Sequence, residues 1–256
     1  MLPRPVFALC GFLLLGGSLI GGPSAWVDLF DGSTLDGWEV KCLPADADKT
    51  YWTVRDSAIE CDATGRGDHD YVWLMHEGEW GDFELELEFQ AFRASPGNSG
   101  VQIRSRYDAS TSAPRGGWLD GPQVDIHPPV PFRTGLIYDE TRSAQHWIFP
   151  LLPSWDIEPR PTPAGFTFVY AEDGGGWNKL RIVAQGTAIT TELNGVTIAD
   201  YDGAGYLDDA DHRALDVGLR GQIALQLHMR DETRMRFRHL RIRALPAVPE
   251  MSHDPR

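Results

Sequence analysis

Three short segments of the sequence alternate apolar residues with strongly polar ones, and together they could supply a site for acid–base chemistry. They cover residues 101–106, 123–127 and 223–228. Because successive side chains of a β-strand point to opposite faces, each segment would bury its apolar residues and present its polar residues on one surface. That polar set is Gln102, Arg104, Gln123, Asp125, His127, Gln226 and His228. Amide, guanidinium, carboxylate and imidazole groups suit a ligand rich in hydroxyl and carbonyl groups, so we take this surface as the candidate site.

The elements that would position these groups are strands. Strand-like runs recur at roughly ten-residue spacing with turn signals between them, and no stretch shows sustained helical periodicity. The 27 glycines and 18 prolines favour many turns, and Asn194-Gly195 is the strongest hairpin signal in the chain. The pattern predicts an all-β fold, a two-sheet antiparallel jelly-roll sandwich of the concanavalin A-like type, as one domain over residues 26–245.

The clearest strand covers residues 82–92, where apolar residues alternate with Glu84, Glu86, Glu88 and Gln90. Carboxylates in such a row could act as a catalytic acid–base pair. A solvated outer face is the alternative, and we favour it because no cationic or aromatic residue is interleaved with the glutamates.

Residues 1–25 are typical of a cleaved signal peptide. Arg4 provides a positive charge near the start, residues 7–20 are apolar, and the segment ends on the small residue Ala25. A transmembrane anchor is the main alternative, although the apolar run is short for a membrane span; lipid attachment at Cys10 is a third. We expect export, so that the mature protein is secreted or periplasmic and not attached to a membrane. Residues 246–256 would form a polar tail.

Export bears on the two remaining cysteines, Cys42 and Cys61. Two cysteines in an exported chain most often form a disulfide, which would connect neighbouring strands near the N-terminus. Two free thiols are the alternative. A zinc site is disfavoured because no Cys-x-x-Cys spacing is present.

Charge and composition narrow the range of partners. The net charge of −14 argues against nucleic acid, because an acidic chain repels phosphate backbones.

Residues 143–176 are rich in proline and aromatic residues and follow no long pattern. They predict an irregular loop over one edge of the polar sheet, either a lid or a surface loop packed on its own aromatic side chains.

A set of short motifs also appears in a consistent order along the chain. The motifs cover residues 29–38, 52–59, 80–85, 98–104, 177–178, 193–195 and 221–228. With this order the sequence resembles the 3-keto-disaccharide hydrolase domain family. The resemblance implies a concanavalin-like jelly roll with a carbohydrate site on its concave face. It further implies cleavage of 3-keto-glycosides, by hydrolysis or by elimination followed by hydration, and an associated divalent metal ion.

One departure from the family pattern falls inside the candidate site. The family commonly has Glu-Val-Gln-Ile where this chain has Gln123-Val124-Asp125-Ile126. The carboxylate therefore lies two residues further along the same strand face. The location of the site is therefore unchanged, but the residue that acts as the base in this chain can differ from the base of the family.

The resemblance implies roles for the polar surface. The C2–H of a 3-keto sugar is acidic because the ketone can hold the resulting negative charge, so a base and a group that stabilises the oxygen are required. Asp125 or His228 could be the base while the other protonates the leaving oxygen, and Arg104 could stabilise the enolate. The expected substrate contacts are Gln102, Gln123, Gln226, Tyr138 and Trp147. The candidate metal ligands are Asp125, His127 and His228.

Each role has a plainer alternative. A histidine on a sheet face is often a hydrogen-bonded surface residue, and His127 precedes two prolines and could simply end its strand. Arg104 could be an ion-pair partner for the glutamates of residues 84–88. The whole domain could be a non-catalytic carbohydrate-binding module, since fold does not determine function. The mixture of Arg, Asp and His favours the enzyme.

Overall fold

The structure is a computed structural model that describes residues 22–110, 116–128 and 132–247. Most of the predicted signal peptide, with Cys10, and the tail from residue 248 lie outside the described residues. Within them the chain forms sixteen strands, one 3-10 helix (Pro44–Asp46) and one α-helix, α1 (Ala210–Leu215). Neither helix is long and apolar enough to cross a membrane.

The strands, in chain order, are β1 (Val27–Asp28), β2 (Trp38–Cys42), β3 (Trp52–Arg55), β4 (Ala58–Asp62), β5 (Val72–Trp80), β6 (Phe83–Ala91), β7 (Ser99–Asp108), β8 (Trp118–Asp120), β9 (Pro122–Ile126), β10 (Ile137–Asp139), β11 (His146–Phe149), β12 (Asn178–Gln185), β13 (Ala188–Leu193), β14 (Val196–Asp202), β15 (Gly221–Leu227) and β16 (Arg234–Ala244).

These strands form two antiparallel sheets of eight strands each in the described part of the chain. Sheet A has the order β14-β13-β12-β6-β16-β4-β3, with β1 beside β16. Sheet B has the order β11-β10-β9-β7-β15-β5-β2, with β8 paired to β7. The predicted all-β jelly-roll sandwich is confirmed, and the Asn194-Gly195 turn joins β13 to β14.

The alternation in the sequence decides which face of each strand is buried. The apolar residues of the three candidate segments lie in the main core between the sheets, with those of β6, β12 and β16. They are Val101, Ile103, Val124, Ile126, Ile223, Leu225 and Leu227. Because alternate side chains point the other way, Gln123, Asp125 and Gln226 lie on the outer face of sheet B.

The outer face of sheet A carries a ladder of ion pairs. β6 runs between β12 and β16, and its glutamates meet cations from both neighbours. The pairs are Glu84 with Arg181 and Arg243, Glu86 with Lys179 and Arg241, and Glu88 with Arg238. The glutamates therefore belong to an outer face, as we favoured. The cations that pair with them come from adjacent strands, which the local sequence of β6 could not show.

Cys42 and Cys61 are both free thiols, so the predicted disulfide is wrong. Cys42 ends β2 in sheet B, whereas Cys61 lies in β4 of sheet A. The two residues therefore belong to opposite layers of the sandwich, although they were expected on neighbouring strands. Burial raises the pKa of the Cys61 thiol.

Residues 143–176 close one edge of sheet B. They supply β11, the edge strand next to β10, and a bridge from Tyr170 to Ala91 of sheet A. Phe166 and Phe168 pack against the main core. The rings of Phe168 and Tyr170 also contact each other, as expected for a surface loop packed on its own aromatic side chains. The interpretation as a lid stays a prediction.

Candidate functional site

A cavity of about 960 Å³ opens on the outer face of sheet B. Five of the residues that the sequence singled out line it, namely Gln123, Asp125, Tyr138, Trp147 and His228. They come from the adjacent strands β9, β10 and β11, and from the position that follows β15. The structure thus brings together the carboxylate, one imidazole, one amide and both aromatic residues.

Strand register explains this convergence. Gln123 of β9 pairs with Tyr138 of β10, which in turn pairs with Trp147 of β11. Residues directly opposite each other on one sheet face are neighbours, so the three form a row. The rings of Tyr138 and Trp147 meet edge to face, with 5.2 Å between their centroids. An aromatic wall therefore stands beside the amide of Gln123.

A glycine makes room for the floor of the cavity. Gly100 of β7 pairs with Asp125 of β9. A Cβ atom at position 100 would lie 2.4 Å from Cδ of Gln123. The Gln123 side chain therefore lies directly over the glycine, where its Nε2 donates to Oδ1 of Asp125 at 3.4 Å. Gly100 is needed here for this close approach.

Asp125 is the strongest candidate for a catalytic base. Its side chain is 2% exposed. Burial raises the pKa of its carboxyl group to about 7, although Arg133, whose Nε lies 3.9 Å from Oδ2, favours the charged form. Oδ2 accepts no hydrogen bond from any described residue. A carboxyl group that titrates near neutral pH and has an unused acceptor in a cavity can take up a proton from a ligand.

His228 is held as a neutral imidazole. Its Nδ1 lies 3.1 Å from the backbone oxygen of Met229, which can only accept, so Nδ1 carries the proton. Nε2 consequently accepts from the hydroxyl group of Tyr71 at 3.1 Å. Burial lowers the pKa of His228 in spite of the nearby carboxylate of Asp231. His228 and Tyr71 form an imidazole–phenol pair that lines the same cavity as Asp125.

The cavity lining also includes Tyr71, Arg133 and Glu140, which the sequence did not identify. Arg133 precedes β10, and its Nε has no hydrogen-bond partner among the described residues. Glu140 directly follows β10 and therefore shares a face with Tyr138. Extending the alternation two residues past Tyr138 would have identified Glu140, but a loop position such as Arg133 has no such signal.

The prediction that Arg104 faces this site is wrong. Gln222 pairs with Ser105 and Ala224 pairs with Gln102, so two residues of β7 lie opposite one residue of β15. Arg104 is in this β-bulge and has a φ of 50°. A one-residue slip reverses the face to which the following side chains point, so the guanidinium turns away from the cavity.

The buried guanidinium of Arg104 instead connects the ends of several strands. It donates to the backbone oxygens of Gly81, Gly186 and Gly218 and lies 3.2 Å from Oδ1 of Asp82. The alternative expectation, that Arg104 forms ion pairs with the glutamates of β6, is also wrong, because its partners are these backbone oxygens and Asp82. Arg104 is therefore a structural residue.

Gln102 and Gln226 lie beneath the cavity, and both are fully buried. Nε2 of Gln102 donates at 3.0 Å to the backbone oxygen of Leu119 in β8, the strand that covers this part of sheet B. Nε2 of Gln226 donates at 3.3 Å to Oε1 of Glu140. The two amides thus hold β8 and Glu140 in place, and they do not line the cavity as expected for substrate contacts.

The residues present do not fit a resident metal ion. His127 lies outside the cavity lining, where its Nδ1 donates to the backbone oxygen of Pro128 at 2.7 Å. Burial lowers the pKa of His127 to about 4. No three His, Cys, Asp or Glu side chains in the described ranges are grouped so that they could hold one ion. The cation beside Asp125 is the guanidinium of Arg133.

A buried charge network anchors the reverse side of β10. Asp139 lies between the cavity residues Tyr138 and Glu140 and is fully buried. Its Oδ2 accepts from the Tyr206 hydroxyl at 2.8 Å and from Nε2 of His212 in α1 at 3.1 Å. Burial alone would lower the pKa of His212, but Asp139 and Asp209 outweigh it and raise the pKa to about 9. α1 therefore holds the strand that presents Tyr138 and Glu140.

Two solved structures share the fold of this chain at low sequence identity. A candidate glycosyl hydrolase of Parabacteroides distasonis superposes with a TM-score of 0.52 at 15% identity, covering 86% of this chain and 94% of that protein. A second candidate glycosyl hydrolase from that organism gives 0.50 at 19% identity, with 87% and 100% coverage. A carbohydrate-binding module of Bacillus subtilis gives 0.41 at 14% identity, with 80% and 94% coverage.

Among curated proteins no significant match is found. A family model, described as the 3-keto-alpha-glucoside-1,2-lyase-like domain, matches residues 25–243. This range contains every strand of both sheets apart from the last residue of β16. The chain therefore belongs to the 3-keto-alpha-glucoside-1,2-lyase-like family.

Proposed function

We propose that this protein cleaves 3-keto-glycosides by removing the proton at C2 and eliminating the substituent at C1. The observation that carries the proposal is Asp125, a buried carboxyl group with a pKa of about 7, an unused Oδ2 and Arg133 beside it in the cavity. A base that titrates near the working pH is suited to abstract a proton from carbon. Family membership supports the substrate class.

The first step uses Asp125 and Arg133. Asp125 takes the C2 proton while the C3 carbonyl oxygen of the sugar becomes negative. Arg133, whose Nε has no hydrogen-bond partner among the described residues, donates to that oxygen. Arg133 thereby takes the role that the sequence had assigned to Arg104.

The second step breaks the bond between C1 and the leaving oxygen. The electron pair released at C2 forms a C1=C2 double bond as the C1–O bond breaks, and the leaving oxygen takes a proton from Tyr71. His228 holds the phenol oxygen of Tyr71 in place through their 3.1 Å hydrogen bond, and the hydroxyl hydrogen turns from Nε2 of His228 to the leaving oxygen for this transfer. Addition of water across the double bond then gives the free 3-keto sugar. In that addition the water returns a proton to Tyr71, and Asp125 returns its proton to C2.

The remaining cavity groups suit a polyhydroxylated ring. Oε1 of Gln123 and Oδ1 of Asn98 are buried and accept no hydrogen bond from the described residues, so sugar hydroxyl groups can donate to them. Tyr138 and Trp147 offer an apolar wall beside Gln123, and Trp155 extends it at the rim with 70% of its surface exposed.

The test is turnover of a chromogenic 3-keto-glucoside by the purified protein. We expect that Asp125→Asn abolishes release of the chromophore, that His228→Ala lowers it strongly, and that sugar binding measured by calorimetry persists in both. Asp56→Asn, at an exposed acid on sheet A, is the matched control and should behave as the wild type. In D2O the wild type should also exchange the C2 proton of the substrate.

The second candidate function is a non-catalytic carbohydrate-binding module. The aromatic wall and the unpaired amide oxygens favour it, because they would bind a sugar without any base. Wild-type protein that binds the sugar but neither cleaves it nor exchanges its C2 proton, with or without added divalent metal, would establish the binding module and end the proposal of an enzyme.

We also propose that the protein is exported and that residues 1–25 are removed. The support is the charged start, the apolar run and the small residue at position 25. Mass spectrometry of protein recovered from a secreting host should give an N-terminus at Trp26. Recovery of the full-length chain in the membrane fraction would overturn this expectation.

A further inference from the structure

The cavity has a second wall that differs chemically from the aromatic one. Leu43, Pro44 and Ala45 form it, on the segment that follows β2. Leu43 directly follows β2, which lies at the opposite edge of sheet B from Trp147 of β11. Pro44 and Ala45 are exposed and Leu43 is half-buried. This wall consists of aliphatic side chains.

The second wall is firmly attached to the sandwich. Asp46, in the same 3-10 helix, is buried, and its Oδ2 accepts from the backbone N–H of Asp70 at 2.9 Å. Lys49 lies 3.0 Å from the other carboxylate oxygen of Asp46. The hydroxyl group of Tyr107 donates to the backbone oxygen of Cys42 at 2.8 Å. The aliphatic groups are thus presented by an anchored turn.

The position of this wall places it beyond the reacting sugar ring. Asp125 lies on β9, and the order β9-β7-β15-β5-β2 puts four strand spacings between β9 and β2. At about 4.8 Å per spacing, that is roughly 19 Å between the strand axes, and the side chains that extend into the cavity from both sides make the gap between them shorter. A ring whose C2 lies at Asp125 and which contacts Tyr138 and Trp147 leaves its C1 substituent as the part of the substrate that can reach this wall.

We propose that this second wall binds an apolar, preferably aromatic, leaving group, so that aryl 3-keto-glycosides are better substrates than 3-keto-disaccharides. The inference rests on the proposed cleavage of 3-keto-glycosides. Aliphatic side chains offer no hydrogen bonds, so the hydroxyl groups of a second sugar would lose water there without gaining partners. An aromatic ring gains from the same contact. Among the described lining residues Asp70 is the one acid on this side, and its Oδ1 accepts from the backbone of Tyr71 at 2.7 Å.

The experiment compares three 3-keto-glucosides, with methyl, 4-nitrophenyl and glucosyl groups at C1, in wild type and in two wall variants. Leu43→Ser removes the aliphatic surface, and Ala45→Asp adds a charge at an exposed position. We expect each variant to lower kcat/KM about tenfold for the nitrophenyl substrate and to leave the methyl substrate unchanged. Dividing wild-type by variant values for each substrate cancels the intrinsic reactivity of the leaving group. Val40→Ser, at an exposed apolar residue of β2 outside the cavity lining, is the control.

A second measurement separates this inference from the proposed reaction. Binding of phenyl and methyl glucosides that carry no ketone is measured by calorimetry in wild type and in Ala45→Asp. We expect tighter binding of the phenyl compound, and we expect Ala45→Asp to remove that difference. Equal effects of the wall variants on methyl and nitrophenyl substrates, or a larger effect on the glucosyl substrate, would overturn the inference. Preferential phenyl binding without any turnover would support the wall and refute the proposed reaction.

Discussion

Replacement of His212 by alanine should destabilise the protein at neutral pH and have less effect at high pH. Both ring nitrogens of His212 face carboxylates, with 3.1 Å to Oδ2 of Asp139 and 2.9 Å to Oδ1 of Asp209. A ring in this position donates from both nitrogens and is therefore an imidazolium ion. The side chain is 2% exposed, so solvent screens these interactions little.

The magnitude follows from the pKa of His212. The structure raises this pKa from 6.5 to about 9. Since a difference of one in pKa is worth about 1.4 kcal/mol, the imidazolium contributes about 3 kcal/mol to the free energy of unfolding. Because the pKa in the folded state is higher than in the unfolded state, this stabilisation is complete below pH 6.5. It is lost as the pH rises through about 9.

Urea denaturation at pH 6, 7.5, 9 and 10 provides the assay. The difference in the free energy of unfolding between wild type and His212→Ala should fall by about 3 kcal/mol from pH 6 to pH 10. His239→Ala, at an exposed histidine near Glu88, is the control and should show a small, nearly constant difference. If the difference for His212→Ala stayed constant or grew toward pH 10, the assignment of a buried imidazolium would be refuted.

Three other predictions concern the cavity and the thiols. Asp125→Asn should raise the free energy of unfolding above pH 7 by up to about 4 kcal/mol. Burial raises the pKa of this carboxyl group from 3.8 to about 7, so its ionisation in the folded wild type costs stability as the pH rises. Equal urea midpoints of the variant and wild type at pH 8 would contradict this. Gly100→Ala should lower the free energy of unfolding by about 1–3 kcal/mol and displace Gln123, because the Cβ atom of the new alanine would lie 2.4 Å from Cδ of Gln123. A crystal structure of the variant with Gln123 unmoved would refute the steric argument. In the folded protein Cys61 should resist alkylation while half-buried Cys42 reacts slowly, and both should react in urea. Mass mapping that finds them joined would restore the disulfide.

Regular alternation in the sequence identified three residues that line the cavity, Gln123, Asp125 and His228. Gln123 and Asp125 face outward because Val124 and Ile126 face the core, and this relation depends only on the two-residue period of a strand. The same reasoning applies to His228, which also lines the cavity. It also predicted the two-sheet architecture, since each strand buries one apolar face.

The same reasoning was wrong at Arg104, where the period breaks. The β-bulge places Ile103 and Arg104 opposite one residue of β15, so the guanidinium turns away from Asp125. The sequence contains one sign of this irregularity in Gly221, where a Cβ would lie 2.5 Å from the carbonyl carbon of Arg104. Glycine is a common residue at strand ends and turns, so its presence there does not indicate a bulge in a neighbouring strand. Only the paired register shows that β7 approaches position 221 too closely for a side chain.

What the sequence by itself determined is the set of side chains that share a strand face, because that set follows from local backbone geometry. What only the tertiary structure decided is which strands and loops become neighbours. β8 covers Gln102, α1 anchors Asp139, and the loop before β10 brings Arg133 to within 3.9 Å of Asp125. These contacts join residues through packing and hydrogen bonds between distant segments, and no period along the chain records them.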